Sequence, residues 1–169
     1  SYSQDETNSY GTYAQRFSAK GVPIGPEWRV NSSTDGQQVE SKIAALSNGG
    51  FVVVWTDQNG LDGSGYGVVA QRYDAAGNPA GAQSLVNTYT GSHQSQPSVA
   101  GYTNGYVVAW TSQGNAGGSG NDIYTQRFNN DGTLNGVEVR VNTNLGSQQQ
   151  EPQVAARADG SAVVVWVVF

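Results

Sequence analysis

The chain has 169 residues, 37% of them hydrophobic and 12% charged, with 23 glycines and neither cysteine nor methionine; that length makes one domain able to fold without disulfides. Its net charge is −5 and its pI near 4.6, with the eight basic residues scattered, so it lacks the basic stripe a nucleic acid needs. Thiol catalysis and thiolate metal sites are excluded, and no apolar run reaches the length of about 18 residues that suits a membrane span.

The first predicted element is a strand at Tyr13-Ala14-Gln15-Arg16-Phe17, in which alternate side chains share a face. A hairpin carrying Gly21 and Gly25 follows, and the next strand ends at Val30-Asn31. A third strand lies around Ile43-Ala44, and a fourth at Phe51-Val52-Val53-Val54-Trp55 has the unbroken apolar run of a strand covered on both faces. This cycle then repeats. Gln15-Arg16-Phe17 returns as Gln71-Arg72-Tyr73 and Gln126-Arg127-Phe128, Val30-Asn31 as Val86-Asn87 and Val141-Asn142, Ile43-Ala44 as Val99-Ala100 and Val154-Ala155, and Trp55 as Trp110 and Trp166. The offset is 56 or 55 positions throughout. Gly77 with Gly81, and Gly132 with Gly136, repeat the hairpin signal, and no helical period occurs.

The expected fold is therefore all-β, built from three four-stranded repeats read as β-propeller-type blades. The chain starts before a third strand and ends after a second, which divides it into a split blade at 1–48, blades at 49–103 and 104–158, and the other part of the split blade at 159–169, to within about two residues. Pairing Tyr13 to Phe17 beside Val163 to Trp166 would close a ring. Propellers have about four to eight blades, so two chains making a six-bladed dimer are preferred to a three-bladed monomer. A β-trefoil or a β-prism also accommodates threefold repetition.

Gly-Phe-Val-Val-Val-Trp at 50–55, the Gly/Asp/Ser-rich loop from Asp57 to Gly65, Val-Ala-Gln-Arg-Tyr-Asp at 69–74 and the later Val-Asn-Thr resemble repeats in large secreted bacterial proteins of the RTX and adhesin type. The resemblance covers essentially the whole chain and implies an extracellular or cell-surface setting, attachment or ligand binding, and calcium. The absence of cysteine suits such a location. Residue 1 is Ser and no signal peptide precedes it, which reads as a processed chain or a piece of a longer one.

Asp57, Asn59 and Asp62 lie together among glycines, an oxygen-rich loop of the kind calcium uses. Their repeat counterparts are Ser112 and Ser1, Gly114 and Ser3, and Gly117 and Glu6, so a metal site in every repeat is excluded and the plainer reading is a solvated turn. Arg16, Arg72 and Arg127 offer planar forks of donors to a sugar or carboxylate, against a structural role in bonding carbonyls between repeats. Asn31, Asn87 and Asn142 are read as ligand contacts or as turn closers, and Gln38, Gln94 and Gln149 recur near them. Trp55, Trp110 and Trp166 read as core anchors. Trp28, whose counterparts are Ser84 and Val139, reads as an exposed aromatic platform. His93 is the only histidine, which leaves no multi-histidine zinc site. No carboxylate occurs in all three copies, yet one pair converging at a ring axis would suffice for glycoside hydrolysis.

The expectation is a non-catalytic, secreted carbohydrate-binding (lectin-like) or adhesion module with repeated sites, binding glycans or cell-surface polysaccharide and self-associating through its ends. It needs no cofactor, with calcium as the one candidate. A structural subunit of a surface appendage is the alternative, and a polysaccharide-degrading enzyme ranks last.

Overall fold

Alternating and unbroken apolar runs separated by glycine turns give twelve strands and no helix in the computed structural model, which describes residues 10–115 and 120–169. They are β1 (Tyr13–Phe17), β2 (Pro23–Arg29), β3 (Gln38–Ala45), β4 (Phe51–Asp57), β5 (Gly67–Tyr73), β6 (Ser84–Leu85), β7 (Gln94–Tyr102), β8 (Gly105–Gln113), β9 (Asn121–Asn129), β10 (Val139–Arg140), β11 (Gln149–Ala156) and β12 (Ala162–Val168). The all-β class follows directly.

The strands form four antiparallel sheets. Two have four strands, in the orders β3-β4-β5-β6 and β7-β8-β9-β10, and two have only two, β1-β2 and β11-β12. The boundaries at 49, 104 and 159 fall in the β3–β4, β7–β8 and β11–β12 turns. Among the described residues β1 pairs only with β2 and β12 only with β11. The pairing of Tyr13–Phe17 with Val163–Trp166 is therefore not made within a single chain. The two pairs pack on opposite sides of the four-stranded sheets, which lie between them.

The sheets stack face to face. Strand β7 lies against β3 and β4, and β11 lies against β7 and β8. One core layer joins Val52, Val54, Val68 and Ala70 to Tyr106, Val108, Trp110 and Phe128. On the opposite face of the first four-stranded sheet, Val53, Trp55, Val69 and Tyr73 meet Val30, with Ala14 and Trp28 against them. Both faces of β4 are thus dry, which is why Val52, Val53, Val54 and Trp55 follow without a polar break. At the glycine hairpins, Gly77 and Gly81 adopt φ of 87° and 93°, a region open to glycine at no steric cost.

Candidate functional site

Three equivalent positions in the first strands break the β ladder in the same way. The pairing of β3 with β4 shifts between Val39 and Lys42, that of β7 with β8 between Ser95 and Ser98, and that of β11 with β12 between Gln150 and Gln153. Each shift is a bulge with one extra residue. The bulged residues Glu40, Gln96 and Glu151 have φ of 58°, 55° and 55°. A side chain in this left-handed region costs roughly 1–2 kcal/mol, so it persists only where its surroundings hold it.

What holds them is a relay of hydrogen bonds from sheet to sheet. The Glu40 carboxylate accepts the Thr56 hydroxyl at 2.7 Å and the backbone amide of Gln96 at 2.8 Å. The Gln96 carboxamide oxygen accepts the Thr111 hydroxyl at 2.8 Å and the backbone amide of Glu151 at 3.1 Å. The residue matching Thr56 and Thr111 in β12 is Val167, so Glu151 has no such hydroxyl beside it. Together with Lys42, Pro97, Pro152 and Gln153 these three residues line a cleft of about 290 Å³ between the first strands. Glu40 and Glu151 are exposed to it.

The repeated arginines do not meet at any one place. Arg16 donates to the carbonyls of Ala76 and Ala75, the latter at 3.1 Å, Arg72 to that of Asn130 at 3.0 Å, and Arg127 to that of Gly160 at 2.6 Å. In each case the acceptor belongs to a turn of the next sheet. Arg127 also lies over the Tyr102 ring, 5.7 Å from its centroid. The adjacent glutamines are likewise engaged, as when Gln71 donates to the carbonyls of Arg72 and Gly81.

Asn31, Asn87 and Asn142 are buried, 2%, 3% and 4% exposed. Their side-chain oxygens accept the amides of Thr12, Val68 and Ile123, each at 2.8 Å. Their side-chain nitrogens donate to Gln38, Gln94 and Gln149. The Asn and Gln of each copy therefore satisfy one another inside the protein. Trp28 is half-buried rather than an exposed platform, because its indole packs 6.5 Å from Phe51 and 5.8 Å from Tyr73. Trp55 and Trp110 are fully buried, whereas Trp166, on β12 of a two-stranded sheet, is half-buried.

In the central loop Asp57 accepts the Asn59 amide at 3.1 Å and Asp62 accepts the Ser64 amide at 3.0 Å. These are Asx turns. Asn59 itself donates to Ser33 and to the Asp35 carbonyl. Burial pushes the Asp57 carboxyl above its usual range, opposed by the Asn59 amide and the side chains of Gln38 and Trp55. Among the described residues no group of three His, Cys, Asp or Glu side chains comes together to hold a metal. The counterparts Ser1, Ser3, Glu6 and Gly117 lie outside the described residues. His93 is exposed, and its Nδ1 accepts the Tyr66 amide at 3.2 Å.

The cleft residues escaped sequence reading because their chemical type varies: Glu, Gln and Glu at one repeat position do not register as a shared residue. The available signal was Gln96-Pro97 and Glu151-Pro152 at that position, since proline inside a strand marks a bulge.

No family model matches the sequence, and no curated protein is significantly similar to it. Among solved structures the chain is similar to a thermostable family-43 glycoside hydrolase, with a TM-score of 0.52 and 13% identity over 91% of this chain. The chain spans 60% of that structure's length. At that identity the likeness is one of fold. It nevertheless corrects the expectation of a non-catalytic lectin-like or adhesion module or a structural subunit, since a solved structure that shares this fold is that of a glycoside hydrolase.

Proposed function

We propose that this protein acts on carbohydrate, and that the saccharide is held at the cleft between the first strands, with Glu40 and Glu151 as its working carboxylates. The observation that carries this reading is the neutral residue between them. Gln96 makes the same pair of bonds with a carboxamide that Glu40 makes with a carboxylate. The structural task at this position therefore needs an acceptor oxygen and no charge. The negative charges at 40 and 151 are left for chemistry or ligand binding, at a cleft of about 290 Å³.

Two carboxylates flanking a glycosidic bond suffice for its hydrolysis. One, protonated, delivers a proton to the leaving oxygen, while the other attacks the anomeric carbon or activates water, depending on their separation. Glu40 is anchored by Thr56 and Gln96, and Glu151 lacks the hydroxyl anchor, so the two stand in different surroundings, as opposed roles require. The likeness to a glycoside hydrolase supports the substrate class. The stacked sheets support the finer architecture: they are blades of a propeller whose innermost strands are β3, β7 and β11, which makes the cleft axial. An extracellular setting follows from the repeat resemblance.

The test is release of reducing ends from a panel of polysaccharides and aryl glycosides by the parent protein and by Glu40→Gln and Glu151→Gln. Turnover lowered by about 10²-fold or more in both variants, with folding intact, is the expected result. Absence of turnover by the parent across the panel, or full activity in both variants, overturns the reading.

A further inference from the structure

The two-stranded sheets expose what the four-stranded ones bury. On β12, Val163, Val165 and Val167 are 67%, 58% and 41% exposed, whereas their counterparts on β4, Val52, Val54 and Thr56, are all 0% exposed. On β1, Phe17 is 59% exposed, whereas its counterparts Tyr73 and Phe128 are 2% and 3% exposed. A long apolar strand edge of this kind is a template for pairing. The pair β11-β12 supplies the first and second strands of a sheet and the pair β1-β2 supplies a third and fourth, so each lacks what the other has.

We propose that a second copy of this chain completes both sheets: β12 of each copy pairs antiparallel with β1 of the other, giving a closed two-fold ring of six four-stranded sheets. The inference rests on the blade reading and is independent of the substrate. Three observations support that occupant.

The intact sheets dictate the register. Val52, Val53, Val54 and Trp55 face Arg72, Gln71, Ala70 and Val69, and the β8–β9 pair repeats that register. Transferred by the repeat offsets, Val165 stands opposite the partner's Ala14, and Trp166 opposite the partner's Tyr13. A seat for the incoming strand also exists. Beside β1, a groove of about 370 Å³ is lined mainly by apolar residues, among them Phe17, Trp28, Ile43 and Phe51, with Gln15 and Arg16 also on its wall. Ile43 at its wall is 62% exposed, and the apolar β12 of a partner fills it.

The relay of amides gives the third observation. Each bulged side chain accepts the amide of the bulged residue in the next sheet, Glu40 from Gln96 and Gln96 from Glu151. In the two-copy ring the sheet following Glu151 begins with β3 of the other copy. Glu151 then accepts the amide of the partner's Glu40, and the relay closes on itself. A closed isologous assembly leaves no edge for further growth.

The pairing can be trapped chemically, because the chain has no native cysteine. Phe169 and Gln148 exchange both backbone hydrogen bonds, so along β12 the amides of Val163, Val165 and Val167 point towards β11. Val165 and the partner's Ala14 therefore form a non-hydrogen-bonded pair, with Cβ atoms about 4.5–5.5 Å apart, close to disulfide reach. Light scattering of the parent protein without carbohydrate is expected to give twice the 17.8 kDa chain mass. Oxidised A14C/V165C is expected to run as a covalent dimer on a denaturing gel, and mixed A14C and V165C single variants as a cross-linked pair. A monomeric mass at every concentration overturns the proposal, as does a double variant that oxidises within one chain, which would show β12 folding back onto its own β1. A ladder of higher multiples overturns the closed two-copy ring. None of these readouts depends on sugar turnover, so a dimer lacking hydrolysis would sink only the functional reading.

Discussion

The carboxylate of Glu40 on β3 accepts the backbone amide of Gln96 on β7 at 2.8 Å, tying the two four-stranded sheets together at the rim of the cleft. Gln96 passes the same contact on to Glu151. A strained backbone position is thereby stabilised by the side chain of the preceding sheet, and the same atoms that hold the architecture line the candidate site.

Glu40→Gln keeps an acceptor oxygen in place, so its stability is expected to stay within about 0.5 kcal/mol of the parent. Glu40→Ala removes both bonds and is expected to cost about 1–3 kcal/mol. Urea unfolding of both variants checks this, and equal losses in the two would show that the charge itself has a structural task.

For Glu151→Gln, the loss of a general acid or base predicts a fall in turnover of about 10²-fold or more, with an unchanged unfolding midpoint. Steady-state kinetics on the best substrate of the panel, set beside a melting curve, separates that outcome from simple misfolding.

Asn87→Ala leaves the Val68 amide, 2.8 Å from the lost oxygen, buried without a partner and strips Gln94 of a donor. The expected cost is about 2–3 kcal/mol. Activity per folded molecule should not change, because the side chain is sealed within the sheet, and a substrate affinity that dropped instead would restore the ligand-contact reading of the repeated asparagines.

Arg72→Ala removes the donor to the Asn130 carbonyl in the next sheet and is expected to destabilise by about 1–2 kcal/mol. Arg72→Lys should recover part of that loss, since one of the five donors suffices here. Chemical denaturation of the pair of variants measures both effects.

Asp57 gives a pH dependence of definite sign. Burial raises its folded pKa above the ordinary value of 3.8, so the native state holds the proton more tightly than the unfolded chain. Its contribution is most favourable below that ordinary value and declines as pH rises through the raised folded pKa. Asp57→Asn cannot ionise and is expected to be more stable than the parent at neutral pH, with the difference vanishing in acid. Urea midpoints for both proteins across that range are the measurement, and a constant difference would contradict the assignment.

The sequence by itself determined the strands and their order. Trp55, Trp110 and Trp166 recur at offsets of 55 and 56, and side-chain alternation with glycine hairpins is a local property that neighbours along the chain can set. The buried run Val52-Val53-Val54-Trp55 also announced a strand covered on both faces. Which polar groups are spent internally was decided only by tertiary structure, because Arg72 meets its carbonyl 58 positions away and nothing local distinguishes that arginine from one facing a ligand. The cleft is the clearest case. Glu40, Gln96 and Glu151 are far apart in the chain and differ in type, and only three bulged first strands stacked side by side bring them to one place. The open edges of β1 and β12 were likewise decided by packing, since the same apolar run that β4 buries lies bare on β12, which among the described residues pairs with β11 alone.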